Sequence, residues 1–253
     1  QEFMVIPHGF DTFGESLRAG VECYHALKGE LKRDGLLGGL GDEGGFAPNL
    51  PTNEDGLRYM VKAIEGAGYS TEEIGIALDV ASTEFYRDGK YHIDGQAISG
   101  EELADIYSGW LDDFPILSIE DGFDEDDWTS WANFTKNDGH RVQCVGDDLF
   151  VTQAERLAMG IEAKAANAIL VKLNQVGTVT ETFETMAIAD AAGFNSVISH
   201  RSGETEDTTI ADLAVGTRAG QIKTGAPARS DRTAKYNQLL RIAENCDEFA
   251  SPF

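Results

Sequence analysis

Residues 168–174 read AILVKLN, a short apolar run that ends at a lysine, Lys172. A run this short and this uniformly apolar is typical of a parallel strand that is buried on both faces. Runs of the same kind occur at residues 74–80 (IGIALDV), 116–121 (ILSIED), 142–148 (VQCVGDD), 195–201 (NSVISHR) and 221–225 (QIKTG). Helix-like amphipathic stretches separate them, so the sequence predicts an α/β fold built on a parallel sheet.

Signals for helix ends support this alternation. Ser99 and Glu102 have the spacing of a capping box, and Thr152 and Glu155 repeat it. Gly193 is placed to end the helix that precedes residues 195–201. These signals predict helices between the apolar runs.

The first third of the chain departs from the alternation. Residues 1–7 (QEFMVIP) predict a strand, and two helical patterns then follow with a glycine-rich loop, residues 38–45 (GGLGDEGG), between them. That gives seven predicted strands, whereas a closed parallel barrel of this class has eight. Gln1 is also not an initiator residue. We therefore expect one domain, residues 1–253, that lacks the first strand of its barrel and whatever precedes it.

The charge balance excludes one class of partner. The chain carries 44 acidic and 20 basic residues, a net charge of −24. Such a surface repels phosphate backbones, so we expect no nucleic-acid binding. Dispersed acids with few lysines are also typical of proteins from salt-rich cytoplasms, where salt screens the repulsion. From this composition we hypothesise that the protein comes from a salt-loving organism.

Compartment is predicted from what the sequence lacks. No apolar run approaches the ~20 residues that a membrane-spanning helix requires, and no segment has the layout of a signal peptide. Three widely spaced cysteines, Cys23, Cys144 and Cys246, do not form a disulfide framework. We expect a cytoplasmic protein without a membrane span.

Charged side chains and one histidine stand at the ends of the apolar runs. They are separated by 41, 27, 25, 28 and 23 residues and are, in order, Asp79, Glu120, Asp147, Lys172, His200 and Lys223. In an α/β barrel the carboxyl ends of the strands meet at the mouth that holds the active site. Three carboxylates in this arrangement suit Mg2+. A lone acid there is more often a helix cap, but three in register favour the metal site.

The two strand-end lysines allow two interpretations. A buried lysine near metal ions favours its neutral form, which makes Lys172 and Lys223 candidates for a general base. Each could instead form an ion pair with a carboxylate at the mouth. The residues alone leave this choice open.

Six longer motifs resemble the enolase family, in the same order along the chain. They are residues 41–45 (GDEGG), 118–121 (SIED), 146–148 (GDD), 169–182 (ILVKLNQVGTVTET), 199–208 (SHRSGETEDT) and 220–229 (GQIKTGAPAR). The resemblance implies an enolase-type TIM-like barrel of order ββαα(βα)6, here without its first strand and without the N-terminal α+β domain. It implies dehydration of 2-phosphoglycerate to phosphoenolpyruvate, a lyase reaction of glycolysis.

The same resemblance implies a role for each matching residue. Asp79, Glu120 and Asp147 match the ligands of a first Mg2+, and Glu120 and Asp147 also border the substrate. Lys172 matches the base and Glu43 the acid, supported by Glu2. The matching substrate-binding residues are Gln1, His200, Arg201, Ser202 and Lys223.

Some of the metal-binding and substrate-binding groups of the family have no match in these residues. The resemblance implies a second Mg2+ site that is incomplete in this chain, and a homodimeric parent protein. We therefore expect the isolated chain to have little activity.

Two other functions stay open as alternatives. Dehydratases and racemases of the enolase superfamily share the barrel and its metal carboxylates, but lack the GDEGG and SHRSGET segments. A barrel with a purely structural or binding role would not need the full set of acid, base and metal groups. Substrate tests and Mg2+ affinity would separate these alternatives.

Overall fold

The computed structural model describes residues 1–246 and 248–253. Its strands are β1 (Glu2–Pro7), β2 (Ile74–Asp79), β3 (Tyr86–Arg87), β4 (Lys90–Ile93), β5 (Gln96–Ile98), β6 (Ile116–Glu120), β7 (Gln143–Gly146), β8 (Ala168–Val171), β9 (Asn195–Ser199) and β10 (Ile222–Lys223). Its helices are α1 (Phe13–Arg33), α2 (Asn53–Gly66), α3 (Gly100–Asp113), α4 (Trp128–Asp138), α5 (Ala154–Ala163), α6 (Leu173–Val176), α7 (Val179–Ala191), α8 (Thr209–Gly216) and α9 (Ser230–Ala243). All seven strands predicted from the apolar runs are present.

The chain divides into two compact units. Unit 1 comprises residues 1–4 and 76–197, and unit 2 comprises residues 5–75 and 198–253. The prediction of a single domain over residues 1–253 stays a prediction.

Unit 1 contains the parallel sheet that the sequence predicts. Strands β2, β6, β7, β8 and the first part of β9 are neighbours in that order, and β2, β6, β7 and β8 run parallel. The strands are short and buried because their side chains are apolar on both faces. Val145, Ala168, Leu170 and Val197 form a buried cluster.

A small second sheet in unit 1 was not predicted. Strands β3, β4 and β5 form an antiparallel meander after β2. The buried ring of Tyr91 in β4 contacts Phe123, which in turn packs against Trp131 and Phe134 of α4. The meander therefore packs one of its aromatic side chains against an aromatic cluster that includes α4.

Unit 2 is built on helices. Helix α1 packs against α2 and α9, and α8 packs against α9. At its edge, residues Ile198 and Ser199 at the end of β9 pair in parallel with Ile222 and Lys223 of β10. Strand pairing thus places the ends of these two strands side by side.

Strand β1 runs in the opposite direction to its neighbour. The N–H groups of His8 and Gly9, just after β1, donate to the carbonyl of Glu73, just before β2, at 3.0 and 2.9 Å. The end of β1 therefore lies beside the start of β2, its neighbour in the sheet. Strand β1 is thus the exception to the parallel arrangement of β2, β6, β7 and β8.

Four helices begin with the same device. The hydroxyls of Thr12, Thr52, Ser99 and Thr178 each accept the N–H of an acidic residue three positions later, respectively Glu15, Asp55, Glu102 and Glu181. Thr52 and Ser99 complete reciprocal capping boxes. The predicted box at Ser99 is confirmed.

The predicted capping box at Thr152 was wrong. Helix α5 begins after Gln153 without a side-chain cap, and Thr152 is buried with a positive φ of 54°. Its hydroxyl instead contacts Lys172 and Gln175. Gly193, by contrast, has a φ of 77° just beyond α7, as expected of a helix-ending glycine.

Among the residues that the structure describes, no helix combines the length and the apolar character needed to cross a bilayer.

Candidate functional site

The ends of three neighbouring strands in unit 1 carry the three predicted metal ligands. Asp79 of β2 is in register with Glu120 of β6, and Glu120 is in register with Val145 of β7, two residues before Asp147. Glu120 and Asp147 are buried, at 3% and 6% exposure, and Asp79 is half-buried. Strand register thus brings these carboxylates to one edge of the sheet.

The tightest carboxylate cluster is a different set that shares Asp147. Oxygens of Asp121, Asp147 and Asp148 all lie within 4.8 Å of one another. Within residues 1–246 and 248–253, Asp79, Glu120 and Asp147 do not form a group as tight as this one. Asp121 and Asp148 were not among the metal ligands predicted from the sequence.

Asp121 braces the turn that carries the other two aspartates. Its Oδ1 accepts the N–H of Asp147 at 2.9 Å and its Oδ2 accepts the N–H of Asp148 at 2.8 Å. Burial, with the negative charge of Asp147, raises the pKa of Asp121 well above its usual range. Partial desolvation and the same charge raise the pKa of Asp148. A divalent cation would relieve this crowding of negative charge.

Asp147 has one oxygen engaged and one open. Its Oδ2 forms an ion pair with Lys172 Nζ. Its Oδ1 is buried and has no hydrogen-bond partner in the described part of the chain. A buried carboxylate oxygen without a donor is unfavourable by itself. An oxygen-ligating cation such as Mg2+ therefore fits these residues.

Lys172 is held at its backbone as well as at its amine. It stands at the start of α6, and its N–H donates to the Thr152 hydroxyl at 3.0 Å. That hydroxyl in turn donates to Gln175 Oε1 at 2.7 Å. The side chain of Lys172 is only 15% exposed. Of the two interpretations, the ion pair with a carboxylate is present, and it leaves a role as base open.

In unit 2 the predicted acid lies beside the predicted imidazole. Glu43 Oε2 lies 2.9 Å from Nε2 of the buried His200, although the two make no aligned hydrogen bond. The loop of Glu43 is fixed by its backbone, because Ala226 N–H donates to Glu43 O at 2.9 Å and Tyr24 OH donates to Gly44 O at 2.9 Å. The glycine-rich loop is thus anchored to the segment after β10.

Strand pairing also brings Lys223 next to His200. The N–H of His200 donates to the carbonyl of Lys223 at 2.9 Å. Arg201 and Ser202 follow on the same loop, where Arg201 N–H donates to Glu204 Oε1 at 3.2 Å. Four of the predicted substrate-binding residues therefore lie together in unit 2.

Two buried cations beneath this loop were missed. Arg232 and Lys235 of α9 are 0% and 1% exposed. Arg232 donates to His200 and to carbonyls of the loop, and Lys235 Nζ donates to Glu204 Oε2 at 2.8 Å. Basic residues three apart on the inward face of an amphipathic helix were the signal that could have revealed them.

Gln1 and Glu2 belong to unit 1. Gln1 is exposed ahead of β1, and Glu2 is the first residue of that strand. Their assigned contacts with substrate and with Glu43 remain predictions.

Comparisons with known proteins show the family to which the chain is similar. Residues 1–251 match the family described as the C-terminal TIM barrel domain of enolase. The enolase of Beutenbergia cavernae is 58% identical over 251 residues, which cover 99% of this chain and 59% of that protein. The enolase of Bifidobacterium animalis subsp. lactis is 58% identical over 247 residues, 96% of this chain and 57% of that protein. The chain thus spans somewhat over half the length of the curated relatives it matches.

Proposed function

Because the chain belongs to the enolase family, as its C-terminal TIM barrel domain, we propose that the whole protein dehydrates 2-phosphoglycerate to phosphoenolpyruvate, reversibly, in glycolysis. Mg2+ is the proposed cofactor. We place the reaction in the cytoplasm, in a homodimer, on the resemblance to the family and on the unpaired cysteines.

Asp79, Glu120 and Asp147 are the proposed ligands of the first Mg2+. The buried Asp147, with an oxygen that lacks a donor, supports this assignment. Bound there, Mg2+ would supply positive charge to the substrate carboxylate as C2 loses its proton. The second Mg2+ site is proposed to need groups outside residues 1–253.

Lys172 is the proposed general base. Its amine, when neutral, takes the proton from C2 of 2-phosphoglycerate. Two contacts that restrict its position support this role, because the Thr152 hydroxyl accepts its backbone N–H and Asp147 contacts its amine. A base whose backbone and amine are both held in position needs little reorganisation to reach the reacting carbon.

Glu43 is the proposed acid, because hydroxide is a poor leaving group and its departure from C3 requires a proton. Glu2 is proposed to support Glu43, and Gln1 to border the substrate. Arg201 and Ser202 are proposed to bind the phosphate, for which a guanidinium fork is suited. His200 and Lys223 are proposed to bind the carboxylate end of the substrate.

The ion pair of Lys172 with Asp147 is the observation that supports this proposal, since it joins the proposed base to a proposed metal ligand. The test is turnover of 2-phosphoglycerate by the full-length protein, with and without Mg2+. We expect Mg2+-dependent formation of the enol product, and its loss in Lys172→Ala. A Lys136→Ala variant, at the basic last turn of α4, is the matched control.

An unphosphorylated sugar acid is the second substrate to test. Turnover of that compound, with none of 2-phosphoglycerate, would contradict the proposal in favour of another superfamily activity.

A further inference from the structure

Arg232 is the most deeply buried basic side chain of unit 2, at 0% exposure. An arginine is rarely buried unless its donors are paired. Its Nη1 lies 2.6 Å from His200 Nδ1 and donates to the Arg201 carbonyl at 2.7 Å. Its Nη2 donates to the carbonyls of Ser202 at 2.7 Å and of Asp42 at 3.2 Å. One guanidinium therefore joins two segments that carry predicted site residues.

The contact with His200 determines which ring nitrogen carries the proton. A guanidinium has only N–H donors and no acceptor. Nδ1 of His200 must therefore accept, and in the neutral ring the proton is on Nε2. That nitrogen is the one that faces Glu43, 2.9 Å from its Oε2.

The same side chain also fixes the loop of Glu43. Asp42, whose carbonyl Arg232 binds, precedes Glu43 directly, although it lies 190 residues from Arg232 along the chain. Gly225 makes this approach possible, because a Cβ there would lie 2.7 Å from Arg232 Cδ and 2.9 Å from Glu43 O. The arginine, the acid loop and the segment after β10 are thus packed without spare space.

We propose that Arg232 is a positioning residue that fixes the Nε2-protonated tautomer of His200 and sets the loops of Glu43 and Arg201. This inference rests on the proposed function, since it assigns those residues to the site. Arg232 acts through His200 and the loop carbonyls rather than by touching substrate. A buried guanidinium suits this task because its planar fork reaches four acceptors at fixed angles.

Lys235 provides a matched control on the same helix. It is equally buried, and its Nζ binds Glu204 Oε2 and the carbonyls of Thr205 and Asp231 at 2.8, 2.5 and 2.6 Å. It does not donate to His200 in the part of the chain that the structure describes. Its replacement should therefore affect stability without affecting the imidazole.

The first test is the His200 tautomer in the full-length wild-type protein, read from the 15N shifts of the ring nitrogens by NMR. The protein is labelled at its histidines, and His200→Asn identifies the His200 signals. We expect a protonated Nε2 and an unprotonated Nδ1. A proton on Nδ1 would overturn the proposal. This measurement is made on the wild-type protein, so it depends neither on enzyme activity nor on whether an Arg232 variant folds.

The second test compares Arg232→Lys with Lys235→Met. The lysine keeps the charge but cannot form the fork, so we expect mixed His200 tautomers and a loss in kcat/KM of about a hundredfold, as for a displaced catalytic group. Lys235→Met should lower Tm and keep the wild-type tautomer. An unchanged tautomer in folded Arg232→Lys would refute the inference.

The two proposals fail in different ways. If the wild-type protein does not turn over 2-phosphoglycerate, the proposed function fails, whatever the tautomer. If the wild type is active but Arg232→Lys keeps its tautomer and its kcat/KM, only the positioning role fails.

Discussion

The hydroxyl of Thr152 accepts the backbone N–H of Lys172 at 3.0 Å, across twenty residues of chain. Thr152 is fully buried and has a φ of 54°, a conformation that is strained for a β-branched residue. The two hydrogen bonds of its hydroxyl offset this strain, because the hydroxyl also donates to the side chain of Gln175 in α6.

Replacing Thr152 by Val should therefore destabilise the protein. The change keeps the shape and the strain but removes the hydroxyl, which leaves the Lys172 N–H and the Gln175 side-chain oxygen Oε1 without this partner. We expect a loss of about 1–3 kcal/mol in the free energy of unfolding, measured with urea. Thr152→Ser, which retains the hydroxyl, should lose less than about 1 kcal/mol. Equal losses in the two variants would contradict this reading of the contact.

Gly225→Ala should destabilise the protein more than Gly193→Ala. Both glycines have positive φ, 86° and 77°, so both variants carry the backbone strain of a Cβ there. Nothing lies within 4 Å of a Cβ at Gly193, whereas one at Gly225 would meet Arg232 and the Glu43 carbonyl. The difference in unfolding free energy isolates this crowding and should be about 1–3 kcal/mol. Indistinguishable values would show that the loop yields without cost.

Mg2+ should stabilise the protein against heat through Asp147. At a Mg2+ concentration a hundred times the Kd, binding to the folded state alone contributes about 2.7 kcal/mol. We expect Tm to rise on adding Mg2+ to the wild type and to the control Asp105→Asn, an exposed position on α3. Asp147→Asn should lose the effect, because the amide weakens the donor set. A full Mg2+ shift in that variant would exclude Asp147 as a ligand.

The three cysteines should differ in reactivity. Burial raises the pKa of Cys23 to about 11 and that of Cys144 to about 12, whereas Cys246 is exposed. A raised pKa keeps a thiol protonated at pH 8, and the thiolate is the reactive form. A thiol reagent should therefore modify one residue in the folded protein and three after unfolding. Cys246→Ser should remove the fast reaction, and fast labelling that persists in it would contradict the burial of the other two.

Molar KCl should raise the stability of the protein. The net charge is −24, and screening reduces the repulsion that this charge creates in the folded state. We expect the midpoint of thermal unfolding to increase from 0.1 M towards molar salt. A midpoint that does not change with salt would argue against adaptation to a salt-rich interior.

The strands of the barrel could be predicted because their signal is local. Each is a run of apolar residues with a charged residue after it, as in β2 and β8. The meander β3–β5 gave no such signal, because its strands are two to four residues long and several of their side chains are exposed. A local hydrophobic pattern does not predict a strand whose conformation is determined by pairing with its partner strand rather than by burial in the core.

The parts of the site that were missed depend on distant partners. Thr152 and Glu155 have the spacing of a capping box, but tertiary contacts with Lys172 and Gln175 overrode it. Arg232 looks like an ordinary surface cation of a helix, and its partners Asp42 and His200 lie 190 and 32 residues away. The roles of Glu43 and Arg201, which stay predictions, could be assigned only because their surrounding motifs resemble a known family.

The hydroxyl-and-acid starts of α1, α2, α3 and α7 bear on how this protein could be re-engineered. At these four positions the negative charge sits against the positive end of a helix, where it favours folding. These four acidic residues therefore stabilise the fold, whereas the excess of acids elsewhere adds repulsion that salt would screen. A version intended for dilute buffer should exchange acids elsewhere on the surface for neutral residues, and leave Glu15, Asp55, Glu102 and Glu181 in place.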